Sequence, residues 1–222
     1  MKKLLGVFIT VLATMNTANA AVVESFESGS WGPNWSSTAA GVVTASSAHD
    51  GQYGVALNGS SWTFNTGITF TPGNELSAWV RPTSGSSGRF YLGFGADASG
   101  ASSLVAATNT GDIRFQDNPN FSYTELNTSS QTWSSQWYKV SVIWNTDGSA
   151  IGRLYGSDGS TLLNTVNQTG LTRSATGIAL RGFGSFDVDT IAVSAVPEPE
   201  TYAMLLAGLG IIGASMRRRK KQ

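Results

Sequence analysis

Residues 137–144, Trp137-Tyr138-Lys139-Val140-Ser141-Val142-Ile143-Trp144, decide the fold. On an extended chain Tyr138, Val140, Val142 and Trp144 fall on one side, and Lys139, Ser141 and Ile143 on the other. This period of two marks an antiparallel strand with one face buried. The pattern recurs in both directions. In 89–96 (RFYLGFGA), Phe90, Leu92, Phe94 and Ala96 share a face and Tyr91 takes the other. In 52–58 (QYGVALN), Tyr53, Val55 and Leu57 align. Further β-type runs occupy 22–26, 41–46, 61–70, 74–81, 102–108, 112–116, 149–156, 160–166, 176–182 and 186–194. Between them stand turn signals such as His49-Asp50-Gly51, Thr71-Pro72-Gly73, Asn109-Thr110-Gly111, Thr146-Asp147-Gly148 and Ser157-Asp158-Gly159. Three of these are Asp-Gly, a strong hairpin signal. No stretch of 21–195 sustains a helical period. So many short strands predict an all-β fold, an antiparallel two-sheet β-sandwich or jelly roll.

Composition narrows the function. Lys+Arg and Asp+Glu number 14 each in the 222 residues, but the cations gather at the ends. Lys2, Lys3 and the run Arg217, Arg218, Arg219, Lys220, Lys221 hold seven of them. Residues 21–195 keep seven cations against twelve carboxylates, a net charge of −5. An acidic body without a basic stripe argues against nucleic acid as a partner. With no cysteine there is no disulfide, Cys-ligated zinc, iron–sulfur cluster or thiol nucleophile. A single histidine excludes a multi-His metal site.

The two ends read as addresses. Lys2 and Lys3 precede an apolar run, Leu4 to Ala13, and Ala18-Asn19-Ala20 places small residues where a signal peptidase reads. Residues 1–20 are therefore a signal peptide, expected as a helix, cut after Ala20. Ten apolar residues are too few to span a bilayer. At the other end, 196–222, Val196-Pro197-Glu198-Pro199-Glu200 leads into the apolar stretch 202–216 and then the five cations. Fifteen helical residues measure about 23 Å, short of the ~30 Å hydrocarbon core. Such a transmembrane helix spans with help from flanking residues or local thinning. Its cations stay cytoplasmic, which leaves 21–195 on the far side.

This tail resembles the PEP-CTERM sorting signal in three parts: Pro197-Glu198-Pro199, the short Gly/Leu-rich helix and the basic cluster. The resemblance implies a Gram-negative envelope and an inner-membrane precursor with a periplasmic domain. It implies exosortase and signal peptidase as processing partners, removal of the tail, and delivery to the cell surface or the extracellular exopolysaccharide matrix. The alternative is a single-pass anchor that is never cut.

The body carries a second resemblance. Leu76-Ser77-Ala78-Trp79-Val80-Arg81-Pro82 is similar to a strand of laminin-G-like, concanavalin-A-like sandwiches. So are Trp137-Tyr138-Lys139-Val140 with 152–159, and 177–183 with 186–191. Phe26-Glu27-Ser28-Gly29 resembles the opening of jelly-roll carbohydrate-binding modules. The resemblance implies a non-catalytic module for polysaccharide or matrix partners. Two alternatives stay open: a glycan-active hydrolase of the same superfamily, and a structural matrix component without a specific ligand.

Hydrolysis needs two carboxylates across a glycosidic bond. The Glu-x-Asp-x-x-Glu pattern of the superfamily's glucanases is missing: none of Glu24, Glu27, Glu75 and Glu125 has an Asp two residues on. The chain is accordingly read as no enzyme. His49, the only group with an ordinary pKa near neutrality, sits in a turn and reads as a solvated loop residue. For a ligand, alternation singles out Tyr91 and Arg114 on the face opposite their apolar neighbours. Calcium is the one plausible metal. By resemblance to jelly-roll modules it would use Glu27 and Asp189, with Asp50 as a third ligand. Strict alternation through 186–194 puts Asp189 on one face with Ile191 and Val193, a buried carboxylate in need of a partner. That partner is the cation, backbone N–H groups, or an arginine such as Arg181.

Overall fold

The computed structural model describes residues 20–36, 41–59, 61–83, 87–196 and 207–209. Fourteen strands are seen among them. They are β1 (Ala21–Glu24), β2 (Val42–Thr44), β3 (Gly54–Leu57), β4 (Trp62–Asn65), β5 (Asn74–Pro82), β6 (Arg89–Asp97) and β7 (Gly100–Ala107) in the first half. The second half adds β8 (Asp112–Pro119), β9 (Thr124–Ser130), β10 (Tyr138–Trp144), β11 (Ala150–Tyr155), β12 (Leu162–Gln168), β13 (Gly177–Phe183) and β14 (Phe186–Ala195). A 3₁₀ turn, Ala45–Ser47, follows β2.

The strands build two antiparallel sheets. An eight-stranded sheet runs β12-β11-β10-β5-β14-β3-β2, with β1 also on β14. A six-stranded sheet runs β4-β13-β6-β7-β8-β9. β3 and β1 share one edge of β14: β3 pairs with Phe186–Val188 and β1 with the stretch from Ile191 to Val193.

The period of two delivers the core between the sheets. Tyr138, Val140 and Val142 stand opposite Val80, Ala78 and Leu76. Leu92 stands between Leu104 and Leu180. All belong to one buried cluster with Phe90, Phe94 and Phe115. Each such aliphatic or aromatic side chain contributes about 1.5–3 kcal/mol by leaving water. Gly152 on β11 is required by this packing, since a Cβ there would lie 2.4 Å from Leu104 Cδ1.

Three details depart from the sequence reading. β9 (TELNTSS) lacks apolar alternation because it is an edge strand, paired only with β8 and largely exposed; polar edges resist further pairing. The run at 61–70 ends early, because Asn65 Oδ1 accepts the N–H groups of Gly67 (2.8 Å) and Ile68 (3.2 Å) and turns the chain. The third is a bulge in β14. Asp189 pairs with Trp79 but Ala192 pairs with Ser77, so one extra residue sits between them. Thr190 takes it up at φ 45°. Ile191 therefore faces the core, while Asp187 and Asp189 face outward, and the shared face expected for Asp189, Ile191 and Val193 does not exist.

The sorting residues Pro197, Glu198, Pro199 and Arg217 to Lys221, and Ala18 of the cleavage site, lie outside the described residues; Ala20 is described and exposed. Of the expected transmembrane stretch only residues 207–209 are described, as helix. Among the described residues no helix is long and apolar enough to cross a membrane.

Candidate functional site: the outer face of the six-stranded sheet

Strand register lays the outward side chains of this sheet in rows. One row crosses the sheet through Trp62, Arg181, Tyr91, Val105 and Arg114. The next passes Phe64, Ala179, Gly93, Ser103, Gln116 and Glu125. Tyr91 and Arg114 thus share a row two strands apart, on the face that alternation assigned to them. They are not solvent-exposed, however. Tyr91 is 3% exposed and Arg114 4%.

Trp62 and Arg181 lie against Tyr91, and the β8–β9 connection adds to the cover. Residues 120–123 fold back over the sheet as a strap. Phe121 packs on Phe64 (centroids 5.7 Å, 20° between planes) and on Trp62 (5.2 Å). Tyr123 lies against the Arg89 guanidinium and hydrogen-bonds Glu125. Asn118 Nδ2 donates to the Ser122 carbonyl at 2.7 Å, and Ser103 Oγ donates to Asn118 Oδ1 at 3.1 Å. Asn120 N–H donates to the Ser99 carbonyl.

Beneath the strap the charges are paired. Arg114 is held by Asp112 and Glu125 and donates to Thr110 Oγ1. The Asp112 hydrogen bond, outweighing burial, raises the Arg114 pKa above its usual value. Burial alone would raise the Asp112 carboxyl; Arg114 and Thr110 more than offset it and hold it below the ordinary carboxylate range. Arg181 lies over both Tyr91 (5.2 Å) and Trp62 (5.6 Å). Gln116 is different. It is 0% exposed, and neither its amide oxygen nor its amide nitrogen has a partner. The buried Trp62 Nε1 is likewise without one. Gln116, Trp62 and Phe121 were not singled out in the sequence. The polar series Asp112, Arg114, Gln116, Asn118 between Ile113, Phe115 and Asp117 was the available signal for the first; nothing local marks Phe121 as a cover.

The remaining expected residues lie on the eight-stranded sheet, where the loop 45–53 folds over the outward carboxylates. Asp189 is 0% exposed and accepts the N–H groups of His49 (2.7 Å), Asp50 (2.9 Å) and Thr190 (2.6 Å). Burial pushes its carboxyl above the ordinary value, against the pull of these bonds. Asp187 accepts Ser47 Oγ (2.6 Å) and the Arg81 guanidinium. Glu27 accepts the N–H groups of Gln52 and Tyr53 at 3.0 Å. Gly51 sits beside the Glu27 carboxylate at φ +69°, a left-handed conformation that favours glycine. So the expected calcium ligands Glu27 and Asp189 clamp one loop through backbone N–H groups, and the Asp50 backbone rather than its carboxylate joins them. Calcium takes six to eight oxygens, whereas these carboxylates face N–H donors. Among the described residues no three of His, Cys, Asp and Glu gather in a group that could hold a metal. His49 is not a solvated loop residue: it stacks on Trp79 at 3.8 Å, with Trp137 edge-on.

Residues 195–220 match the PEP-CTERM protein-sorting motif, so the chain ends in that motif. None of the curated proteins matches the sequence. Solved structures do match the body. One is the carbohydrate-binding module CBM66 from Bacillus subtilis, at TM-score 0.55 and 11% identity, covering 73% of this chain and 96% of that one. A second is the exoplasmic/lumenal domain of VIP36 in its Ca2+/Man3GlcNAc-bound form, at TM-score 0.51 and 13% identity, covering 76% and 88%. A third is the GH43 protein BlXynB from Bacillus licheniformis, at TM-score 0.54 and 8% identity, covering 78% of this chain but 39% of that one. At such identities the likeness shows the fold: a two-sheet β-sandwich of the kind found in lectins and carbohydrate-binding modules.

Proposed function

We propose that this chain is an exported, exosortase-sorted protein of the cell surface or exopolysaccharide matrix, and that its sandwich is a non-catalytic glycan-binding module. The sorting motif at 195–220 supports the address. In that reading the precursor sits in the inner membrane of a Gram-negative cell with residues 21–195 in the periplasm, and signal peptidase and exosortase trim its ends.

The observation that carries the binding function is the row of Trp62, Arg181 and Tyr91 across one sheet face, an aromatic surface with a planar cation that the strap covers in part. Aromatic faces with planar polar groups are what sugar rings require: apolar C–H patches stack on the rings, and hydroxyls find donors and acceptors. The fold of CBM66 and VIP36 supports the same reading. Against the hydrolase alternative stands the use of the carboxylates. Asp187, Asp189 and Glu27 hold a loop, Asp112 and Glu125 hold Arg114, and Glu24 accepts Gly32 N–H and Trp35 Nε1. A hydrolase needs two of them directed at a glycosidic bond.

The test is a glycan array probed with the purified full-length chain, with reducing ends measured on every glycan that binds. We expect retention of a subset and no release of reducing sugar. An array without a single hit overturns the binding function, and cleavage overturns its non-catalytic character.

A further inference from the structure

Gln116 is the anomaly of the outer face. A fully buried amide with neither atom paired costs free energy that most proteins do not tolerate. Here it stands in a row between Glu125 and the small residues Ser103, Gly93 and Ala179. Gly93 has no room for a side chain, since a Cβ would lie 2.8 Å from Ala179 Cβ. The row is thus a trough, with Phe64 at its far end and the unpaired Trp62 Nε1 beside it. Four strand spacings separate Phe64 from Gln116, about 19 Å along the sheet.

The filling of this trough is a ring from the protein itself. Phe121 stacks on Phe64 and leans on Trp62. It is held there by two successive residues in the left-handed region, Asn120 (φ 51°) and Phe121 (φ 54°). A bulky residue rarely adopts that conformation, so the closed strap stores a cost that opening releases.

We propose that this trough is the binding groove for an extended chain of linked pyranoses, and that the 120–123 strap closes it with Phe121 standing in for a sugar ring. The inference rests on the glycan-binding reading above and adds the site, the ligand's extent and the gate. When the strap opens, one pyranose lays its C–H face on Phe64 and Trp62. Further along, Gln116 offers one acceptor and one donor in a fixed plane, which suits two neighbouring hydroxyls. Trp62 Nε1 donates to a third oxygen. A monosaccharide reaches only one end of the groove.

The experiment uses the full chain in detergent micelles, titrated calorimetrically with cellohexaose, mannohexaose and xylohexaose and with the matching monosaccharides. The proteins are wild type, Phe121→Ser, and Phe121→Ser with Gln116→Leu; thermal melts establish that each is folded. We expect Phe121→Ser to bind at least one hexaose ten-fold or more tighter than wild type. We expect the added Gln116→Leu to lose ten-fold or more, and no monosaccharide to be retained. A hexaose bound equally by all three proteins overturns the groove but leaves glycan binding standing. Binding of a monosaccharide as tight as its hexaose overturns the extended ligand. No binding by any protein overturns the groove and the glycan-binding reading together.

Discussion

Asp189→Ala tests how the loop 45–53 is held to the sandwich. The carboxylate is fully buried and accepts three backbone N–H groups, two of them, from His49 and Asp50, on the loop itself. Removing it strands those donors beneath the loop, at about 1–3 kcal/mol for each one that stays dry. Relief from burying a charge returns part of that. The expected net loss is about 2–4 kcal/mol, or on the order of 10 °C in Tm for a domain of this size. The pH dependence carries more information than the magnitude. Burial raises the folded pKa of Asp189 above the ordinary 3.8. Between 3.8 and that raised value the folded state binds more proton than the unfolded one, so stability from this group falls as pH rises through the window. Wild type should therefore gain on Asp189→Ala as pH drops from neutrality into the window, and the gain should be complete below 3.8. A calcium ligand behaves oppositely: the metal depresses its pKa, and both acid and chelator remove the stabilisation. Melts of residues 21–195 at several pH values, with excess calcium and with chelator, decide between them. A loss under about 0.5 kcal/mol, an advantage that shrinks in acid, or a chelator-induced drop in wild type that Asp189→Ala and Glu27→Ala abolish would refute the N–H clamp.

Arg114→Met should cost about 3–5 kcal/mol, because it leaves Asp112 buried and unpaired; the double substitution with Asp112→Asn should recover much of it, and urea melts of both variants read the coupling. At the ends, the mature protein is expected to begin at Ala21 and to lack the residues beyond Pro199, as intact mass and N-terminal sequencing will show. Replacing Pro197, Glu198 and Pro199 by alanine should leave the precursor in the membrane fraction; normal surface delivery of that variant would refute sorting by the motif.

Much of the fold was legible because the sandwich interior imposes a period of two. Val140 and Val142 announce β10, and Leu92 and Phe94 announce β6, because every second residue must be apolar on a half-buried strand. β9 escaped because an edge strand over a polar rim has no apolar face to announce. The bulge in β14 escaped for a different reason. Thr is a β-branched residue that disfavours positive φ, so Thr190 gives no local sign of the break that turns Ile191 inward. The register of β14 is set instead by its neighbours: Phe186 and Val188 must face the core opposite Pro82 and Val80, and Val193 must do so opposite Leu76.

The site shows where local reading ends. Alternation correctly assigned Tyr91 and Arg114 to one face, because that depends only on the residues of their own strands. Whether the face meets water depends on a segment elsewhere. In Asn118-Pro119-Asn120-Phe121-Ser122-Tyr123 a turn with two aromatics reads as an exposed loop, and only the path of the chain carries Phe121 across β7, β6 and β13 to Phe64 on β4. The same holds for the eight-stranded sheet, where Asp187 and Asp189 would be ordinary surface carboxylates without the loop 45–53 above them. On both outer faces a connection folds back over the strands. The two covers differ in how they are tied. The 45–53 loop is fixed by the carboxylates of Glu27, Asp187 and Asp189, and its N–H groups find acceptors. The strap leaves Gln116 and Trp62 Nε1 unsatisfied beneath it and is held at positive φ. Local stability follows the contacts that a segment makes, and of the two covers the strap is the one proposed to lift.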